Sequence, residues 1–207
     1  MKTLRVVLAF AVLFGCRNAG SESDSRLAVR PFPDPSSTSS VVASRGDAGL
    51  VFIPQTEALD CGPAAIAITL TYYGRPTTLD ASKAATHFSS ERTNALDLVN
   101  AAEANGLGAL GVAANADEVL PVLRTGDILH FDSDHFVVFD AVAADGVRLM
   151  DPAVGRRVID RVAFSKHYSG VALLFERSPA ALAARRRSLA IAPIAPEKAG
   201  GPIEAGP

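Results

Sequence analysis

The sequence predicts an α+β domain in which helices come first and pack on an antiparallel sheet formed by later strands. The first reason is composition, because hydrophobic residues make up 48% of the 207 residues and charged residues 20%, enough to bury a core. The second is periodicity, because helical spacing of apolar residues gives way after residue 126 to short apolar runs typical of strands. The third is the turn sequence Ala-Asp-Gly at residues 144–146, which indicates a hairpin between two such runs.

The first 16 residues have the pattern of an export signal. Lys2 and Arg5 precede an apolar run that is too short to span a bilayer. The run ends in Leu-Phe-Gly-Cys, which resembles the bacterial lipobox and implies cleavage before Cys16 and lipidation of its thiol. We therefore expect an exported lipoprotein of the cell envelope, anchored to a membrane and facing the periplasm or the outside. The alternative is a plain signal peptide that is cut a few residues later.

Composition divides the rest of the chain into three parts. Residues 17–48 are rich in Ser, Pro, Asp and Gly, which predicts a flexible tether. The folded domain is predicted at residues 49–177, and residues 178–207 are a Pro/Ala-rich tail that starts with a short helix. We expect the basic run at residues 185–187 to be a solvated part of this tail. The net charge of −2 gives no basic surplus, so nucleic acid is not an expected partner.

The predicted domain begins with a short strand over residues 50–55, followed by a helix over residues 61–74. Asp60 can cap this helix, Pro63 fits its first turn and Gly74 ends it. Because the helix is apolar on nearly all sides, we expect it to be buried at the centre of the domain.

The remaining elements follow from periodicity and turn signals. Two amphipathic helices are predicted, followed by a short helix or turn, at residues 78–88, 94–106 and 116–126. Strands are predicted at residues 127–131, on both sides of the hairpin turn within residues 135–151, and at residues 170–177.

Cys61 stands at the start of the central helix, where unpaired backbone N–H groups and the helix dipole favour an anion. The thiolate is the nucleophilic form of cysteine, so this position suits a nucleophile. A single cysteine at a helix start is also a common buried core residue. The other cysteine, Cys16, is expected to be lipidated or removed, and this leaves Cys61 without a disulfide partner in the exported chain.

Three further residues complete a candidate site. His135 opens a predicted strand, which is a rigid support from which an imidazole can reach a thiol. Asp151 ends the strand that pairs with it through the hairpin, so the carboxylate can fix the tautomer of the imidazole. Gln55 precedes Cys61 and can donate from its side-chain amide to an oxyanion. Taken singly, each has a plainer interpretation, as a structural histidine, a turn aspartate and an exposed loop residue.

The segments containing these residues, QTEALDCGPAAIAITLTYYG, HFVVF and DPAVG, resemble the bacteriocin-processing cysteine peptidases, family thirty-nine of the cysteine peptidases. Members cleave leader peptides after a double glycine and have a papain-like fold. The resemblance covers about residues 55–175. It implies that Cys61 is the nucleophile, His135 the general base, Asp151 the group that orients the base, and Gln55 an oxyanion donor, with a peptide or protein as substrate and no cofactor.

The chain differs from many members, which are the front domain of a peptide-exporting transporter. It has no GxxxxGK[ST] phosphate loop, so a transporter would be a separate partner. Two alternatives stay open: a papain-like hydrolase of cell-wall peptides, and a non-catalytic peptide-binding module. We expect His130 to be structural, and His87 and His167 to face solvent. Because no CxxC or HxxxH spacing occurs with Cys61, no metal site is predicted.

Overall fold

A computed structural model describes residues 49–88, 93–189, 191, 193 and 194. The predicted signal segment, the Cys16 lipidation site, the tether at residues 17–48 and most of the predicted tail lie outside these residues. The helices in the described part are Cys61–Tyr72 (α1), Leu79–Ala85 (α2), Ala95–Ala104 (α3), Ala116–Val119 (α4, followed by a 3-10 turn at Leu120–Val122), Arg161–His167 (α5) and Pro179–Arg187 (α6). The strands are Gly108–Ala113 (β1), Ile128–Phe131 (β2), His135–Ala143 (β3), Gly146–Asp151 (β4), Gly155–Ile159 (β5) and Tyr168–Glu176 (β6).

The described strands form one antiparallel sheet in the order β1-β6-β2-β3-β4-β5. Side chains of β3 alternate between its two faces, as the period of a strand requires. Phe136 and Val138 join the apolar cluster under α1 and α3, whereas Val137 and Phe139 join the cluster on the other face, which includes α5. The helices and the sheet confirm the predicted α+β class.

Helix α1 is the central element, as its composition predicted. Every residue from Cys61 to Leu70 is buried, so the helix lies in the core rather than on it. It packs on β3, which places the first residue of the helix close to the first residue of that strand. The fold therefore brings together two chain segments that are far apart in sequence.

Some predicted elements differ from the structure. The strand expected over residues 50–55 is wrong: the segment is not in the sheet, although the Gln55 N–H donates to the Pro152 carbonyl at 3.0 Å. Strands β1 and β5 and helix α5 were not predicted. The sequence of β1 is Gly- and Ala-rich and that of β5 contains two arginines, so both have weak strand signals. His167 is the last residue of the unpredicted helix α5.

Helix α6 packs against β1 and β6, so the chain beyond Arg177 contributes to the packed unit. The expectation that residues 185–187 are all solvated is wrong for Arg185, which is only 4% exposed. Its guanidinium binds Asp127, with Nη1 at 3.1 Å from Oδ1, because a buried carboxylate requires a cationic partner.

Residues beyond α6 meet the outer edge of the sheet. Pro193 forms a bridge with Val112, and the Ile194 N–H donates to the Gly111 carbonyl at 2.9 Å. Over the ranges that the structure describes, no helix combines the length and the apolar character needed to cross a bilayer.

Candidate active site

Cys61 is the first residue of α1, and its side chain lies near the start of β3. It is a free cysteine, 5% exposed, with Sγ at 4.0 Å from the Asp134 carbonyl oxygen. The next residue is glycine because the helix packs closely here: a Cβ on Gly62 would lie 3.1 Å from Thr93 and 3.4 Å from Phe136. The thiol is therefore held at the start of a buried helix, beside the strand that carries His135.

His135 and Asp151 meet across the β3–β4 hairpin, as the sequence predicted. His135 is the first residue of β3 and Asp151 the last residue of β4. The pairing of Val138 with Met150 sets the register, and the imidazole Nε2 lies 2.8 Å from Asp151 Oδ1. This contact leaves Nδ1 as the ring nitrogen that can exchange a proton with Cys61.

The electrostatics of His135 follow from burial and two neighbours. Burial alone would lower its pKa, but the hydrogen bonds to Asp151 and to Cys61, with the charges of both groups, raise the pKa of His135 to about 9. At neutral pH the site therefore favours an imidazolium next to the thiol. An imidazolium is the partner that stabilises a thiolate.

The Asp151 carboxylate uses both of its oxygens. Oδ1 accepts from the Ala153 N–H at 2.9 Å as well as binding His135, and Oδ2 lies 3.1 Å from Arg157 Nη2. Burial would raise the pKa of Asp151, but the hydrogen bond from His135 and the charge of Arg157 lower it below its usual range. Asp151 is therefore a stable anion in hydrogen-bond contact with the imidazole.

Arg157 was not identified from the sequence. It lies on β5, opposite Leu149 of β4, and reaches the carboxylate at the end of that strand. The signal that would have found it is the pairing of β5 with β4, but β5 itself was not predicted.

Gln55 is linked to both halves of the site through its backbone. Its backbone N–H donates to the carbonyl of Pro152, the residue after Asp151, and its loop leads directly to Cys61. The side-chain Nε2 donates to the Glu57 carbonyl at 3.0 Å, and Oε1 is buried with no hydrogen-bond partner among the described residues. The amide carries two N–H donors, so the contact to Glu57 uses only one of them.

Asp60 occupies the N-cap position of α1, but its side chain makes no capping hydrogen bond. The capping role expected from the sequence is therefore wrong. The backbone at Asp60 is not in the extended conformation that usually accompanies capping, and the carboxylate turns back into the preceding loop. There it accepts from the N–H groups of Thr56 and Glu57 and binds Lys83 Nζ at 2.9 Å.

The other histidines have surroundings that differ from those of His135. His130 is buried and its ring lies 4.8 Å from that of Phe136, centroid to centroid. His87 is exposed, whereas His167, expected to face solvent, is half-buried and binds Asp132 through Nδ1 at 2.8 Å. Within the described ranges, no group of three or more His, Cys, Asp or Glu side chains is arranged to hold a metal ion.

Comparison with known sequences gives a family match over most of the described chain. The model of the Peptidase C39 family matches residues 50–180. The colicin V secretion/processing ATP-binding protein CvaB of Escherichia coli is 35% identical over 121 residues, which are 58% of this chain and 17% of that protein. The chain thus spans less than a fifth of the length of this curated relative.

Solved structures show the same architecture. A double glycine motif protease from an AMS/PCAT transporter, solved in complex with the leader peptide, is 31% identical with a TM-score of 0.59, over 64% of this chain and 94% of that one. The peptidase domain of Streptococcus ComA, a bi-functional ABC transporter involved in a quorum sensing pathway, is 22% identical with a TM-score of 0.56, over 59% and 95%. These likenesses confirm the papain-like peptidase fold that the sequence predicted.

Proposed function

The chain belongs to the Peptidase C39 family, and from this premise we propose that it is a cysteine peptidase whose nucleophile is Cys61. The observation that carries the proposal is the position of the thiol, 4.0 Å from the carbonyl oxygen of the residue before His135, together with the 2.8 Å contact from His135 to Asp151. A nucleophile, a base and a group that orients the base are the parts that acyl transfer to a thiol requires.

In the proposed reaction, His135 holds the thiol proton and the Cys61 thiolate attacks the carbonyl carbon of a peptide bond. The oxyanion accepts hydrogen bonds from the Gln55 amide and from the Cys61 backbone N–H. His135 then protonates the leaving amine, and the C–N bond breaks to leave a thioester on Cys61. Water attacks the thioester while His135 takes its proton, which releases the acid product and restores the thiol.

The first substrate class to test is a leader peptide that ends in a double glycine. The support is the family match, together with the 31% identical protease that is named for that motif and was solved with a leader peptide. Because the relative CvaB is named a secretion/processing ATP-binding protein, the partner that supplies the substrate is proposed to be a transporter.

Residues 1–16 add a proposal on location. Their signal and lipobox pattern supports export and a lipid anchor at Cys16, in the cell envelope. Fractionation of cells that produce the Cys16→Ser variant tests this, because loss of the anchored cysteine should move the protein from the membrane to the soluble fraction. An unchanged membrane fraction would contradict the anchor.

The test of the peptidase assignment compares peptides that differ only at the cleavage site. The purified protein is incubated with a leader peptide ending in Gly-Gly, with its Ala-Ala counterpart, and with cell-wall peptides, and the products are identified by mass spectrometry. We expect cleavage after Gly-Gly, none of the Ala-Ala peptide, and complete loss of cleavage in Cys61→Ala.

Two other outcomes would each overturn one part of the proposal. Cleavage of cell-wall peptides alone would retain the peptidase chemistry and overturn the leader substrate. Equal cleavage by wild type and Cys61→Ala would overturn the assignment of the nucleophile.

A further inference from the structure

Asp60, directly before the nucleophile, organises the loop that carries Gln55. Its carboxylate is fully buried. It accepts from the Thr56 N–H at 3.1 Å, from the Thr56 hydroxyl at 2.9 Å and from the Glu57 N–H at 3.1 Å. A carboxylate that collects several loop donors fixes the loop as a charge-assisted cluster.

Lys83 supplies the positive charge that this buried carboxylate needs. It lies on α2, and its Nζ is 2.9 Å from Asp60 Oδ2 and 3.0 Å from Glu57 Oε1. The Lys83 side chain is only 17% exposed and that of Asp60 is 0% exposed, so the pair is largely shielded from solvent. A buried carboxylate without such a partner would be strongly unfavourable.

The same loop holds the Gln55 amide. Gln55 Nε2 donates to the Glu57 carbonyl at 3.0 Å, and the N–H of Glu57 is one of the donors to Asp60. Asp60 thus fixes the two peptide groups on either side of Thr56, and the Gln55 amide is held by the next carbonyl along the same loop. The second N–H of this amide is the donor that the proposed mechanism assigns to the oxyanion.

We propose that Lys83, acting through Asp60, is a positioning residue that holds the Gln55 amide in place to stabilise the oxyanion. The inference rests on the proposed function and goes beyond it, because it assigns a role in acyl transfer to a lysine on a separate helix. Lys83 has no contact with the reacting atoms in this scheme. Its effect is confined to steps that form an oxyanion.

The test compares two reactions of Cys61, one that forms an oxyanion and one that does not. In acylation by p-nitrophenyl acetate, the thiolate adds to the carbonyl through an oxyanion and expels p-nitrophenolate. In alkylation by iodoacetamide, the thiolate displaces iodide from carbon and no oxyanion forms. We expect Lys83→Met to slow acylation about tenfold, as expected when a catalytic group is misplaced by a fraction of an ångström, and to leave alkylation unchanged.

Controls separate positioning from folding. Lys166→Met, an exposed lysine on α5, should match the wild type in both reactions, and Lys83→Arg should restore most of the acylation rate. In a Gln55→Ala background, Lys83→Met should have no further effect on acylation, because its target is absent. If Lys83→Met does not fold, Thr56→Val removes one hydroxyl contact to Asp60 and should slow acylation to a smaller extent, again without changing alkylation.

Three outcomes would overturn the inference. Equal slowing of acylation and alkylation would indicate a general loss of structure, and an additive effect with Gln55→Ala would show that Lys83 does not act through Gln55. Unchanged acylation in Lys83→Met, with a wild type that acylates at Cys61, would reject the positioning role and leave the peptidase proposal intact. If p-nitrophenyl acetate acylates the wild type no faster than Cys61→Ala, both the positioning role of Lys83 and the peptidase proposal are overturned.

Discussion

Two buried aspartates in the sheet region, Asp127 and Asp151, each bind an arginine but differ in what else they bind. Asp127 is 0% exposed, and the Arg185 guanidinium spans both of its oxygens. Asp151 is 2% exposed and gives one oxygen to Arg157 and the other to His135. The first arrangement has only fixed partners and joins a helix to the sheet. The second shares its charge with a group that can exchange a proton, and it is the one next to Cys61.

Arg185→Met tests the structural half of this comparison and has the largest expected effect. It leaves the Asp127 carboxylate buried without its cation, which should lower the free energy of unfolding by about 3–5 kcal/mol. Urea denaturation measures the loss, and turnover by the protein that remains folded should stay normal. The control Arg186→Met changes an exposed residue of the same helix and should alter stability by less than about 0.5 kcal/mol. Equal stability of the two variants would refute a locking role for Asp127.

Asp151→Asn tests the second arrangement, in which the aspartate shares its charge with His135. The amide no longer supports the imidazolium or fixes its tautomer, so kcat should fall by about 10²–10⁴-fold, the range for loss of general-base support. The pKa of His135 should fall as well, because a hydrogen bond and a charge that raise it are lost. Peptide cleavage and an NMR titration of His135 measure the two effects. A variant that is strongly destabilised but cleaves normally while folded would show that both aspartates are structural.

Arg157→Met sharpens the comparison, because it removes the arginine from the aspartate beside His135. We expect about a tenfold fall in kcat, equivalent to the ~1.4 kcal/mol that a charged hydrogen bond contributes at the low end. The pKa of Asp151 should rise, since the charge of Arg157 is one of the influences that lower it. Arg161→Met, an exposed arginine at the start of α5, is the control, and a similar fall in that variant would contradict the specific role of Arg157.

The pH dependence of stability tests the charge of His135 without a substitution next to it. The pKa of His135 is raised from 6.5 to about 9 in the folded protein, so its stabilising contribution is fully present below pH 6.5. It should be lost as the pH rises from 6.5 through about 9. Denaturation curves across this window should show the decline in the wild type and a flatter profile in His135→Gln. Parallel profiles would mean that the pKa of His135 is the same in the folded and unfolded states.

Local sequence patterns predicted the parts of the site that depend on nearby residues. The apolar helix with Cys61 at its start, and the hairpin that joins His135 to Asp151, both follow from periodicity and one turn. The proximity of the imidazole to the carboxylate was predictable because a hairpin sets its own register.

The residues that support this site were not predictable in the same way. Lys83 reaches Asp60 from another helix, and Arg157 reaches Asp151 from a strand with a weak sequence signal. Arg185 lies in a run of three arginines, and only the packing of α6 distinguishes it from its exposed neighbours. These contacts depend on how elements pack, which the spacing of residues along the chain does not determine.

The strand order also has a consequence for the behaviour of the protein at high concentration. An open sheet ends in two outer strands, and unpaired backbone groups on such strands are templates for aggregation between molecules. Here β1 is met by Pro193 and Ile194, and β5 carries the charged residues Arg156 and Arg157. Pro193 and Ile194 thus cover part of the β1 edge, and a chain shortened before Pro193 would leave these backbone groups of β1 without those contacts.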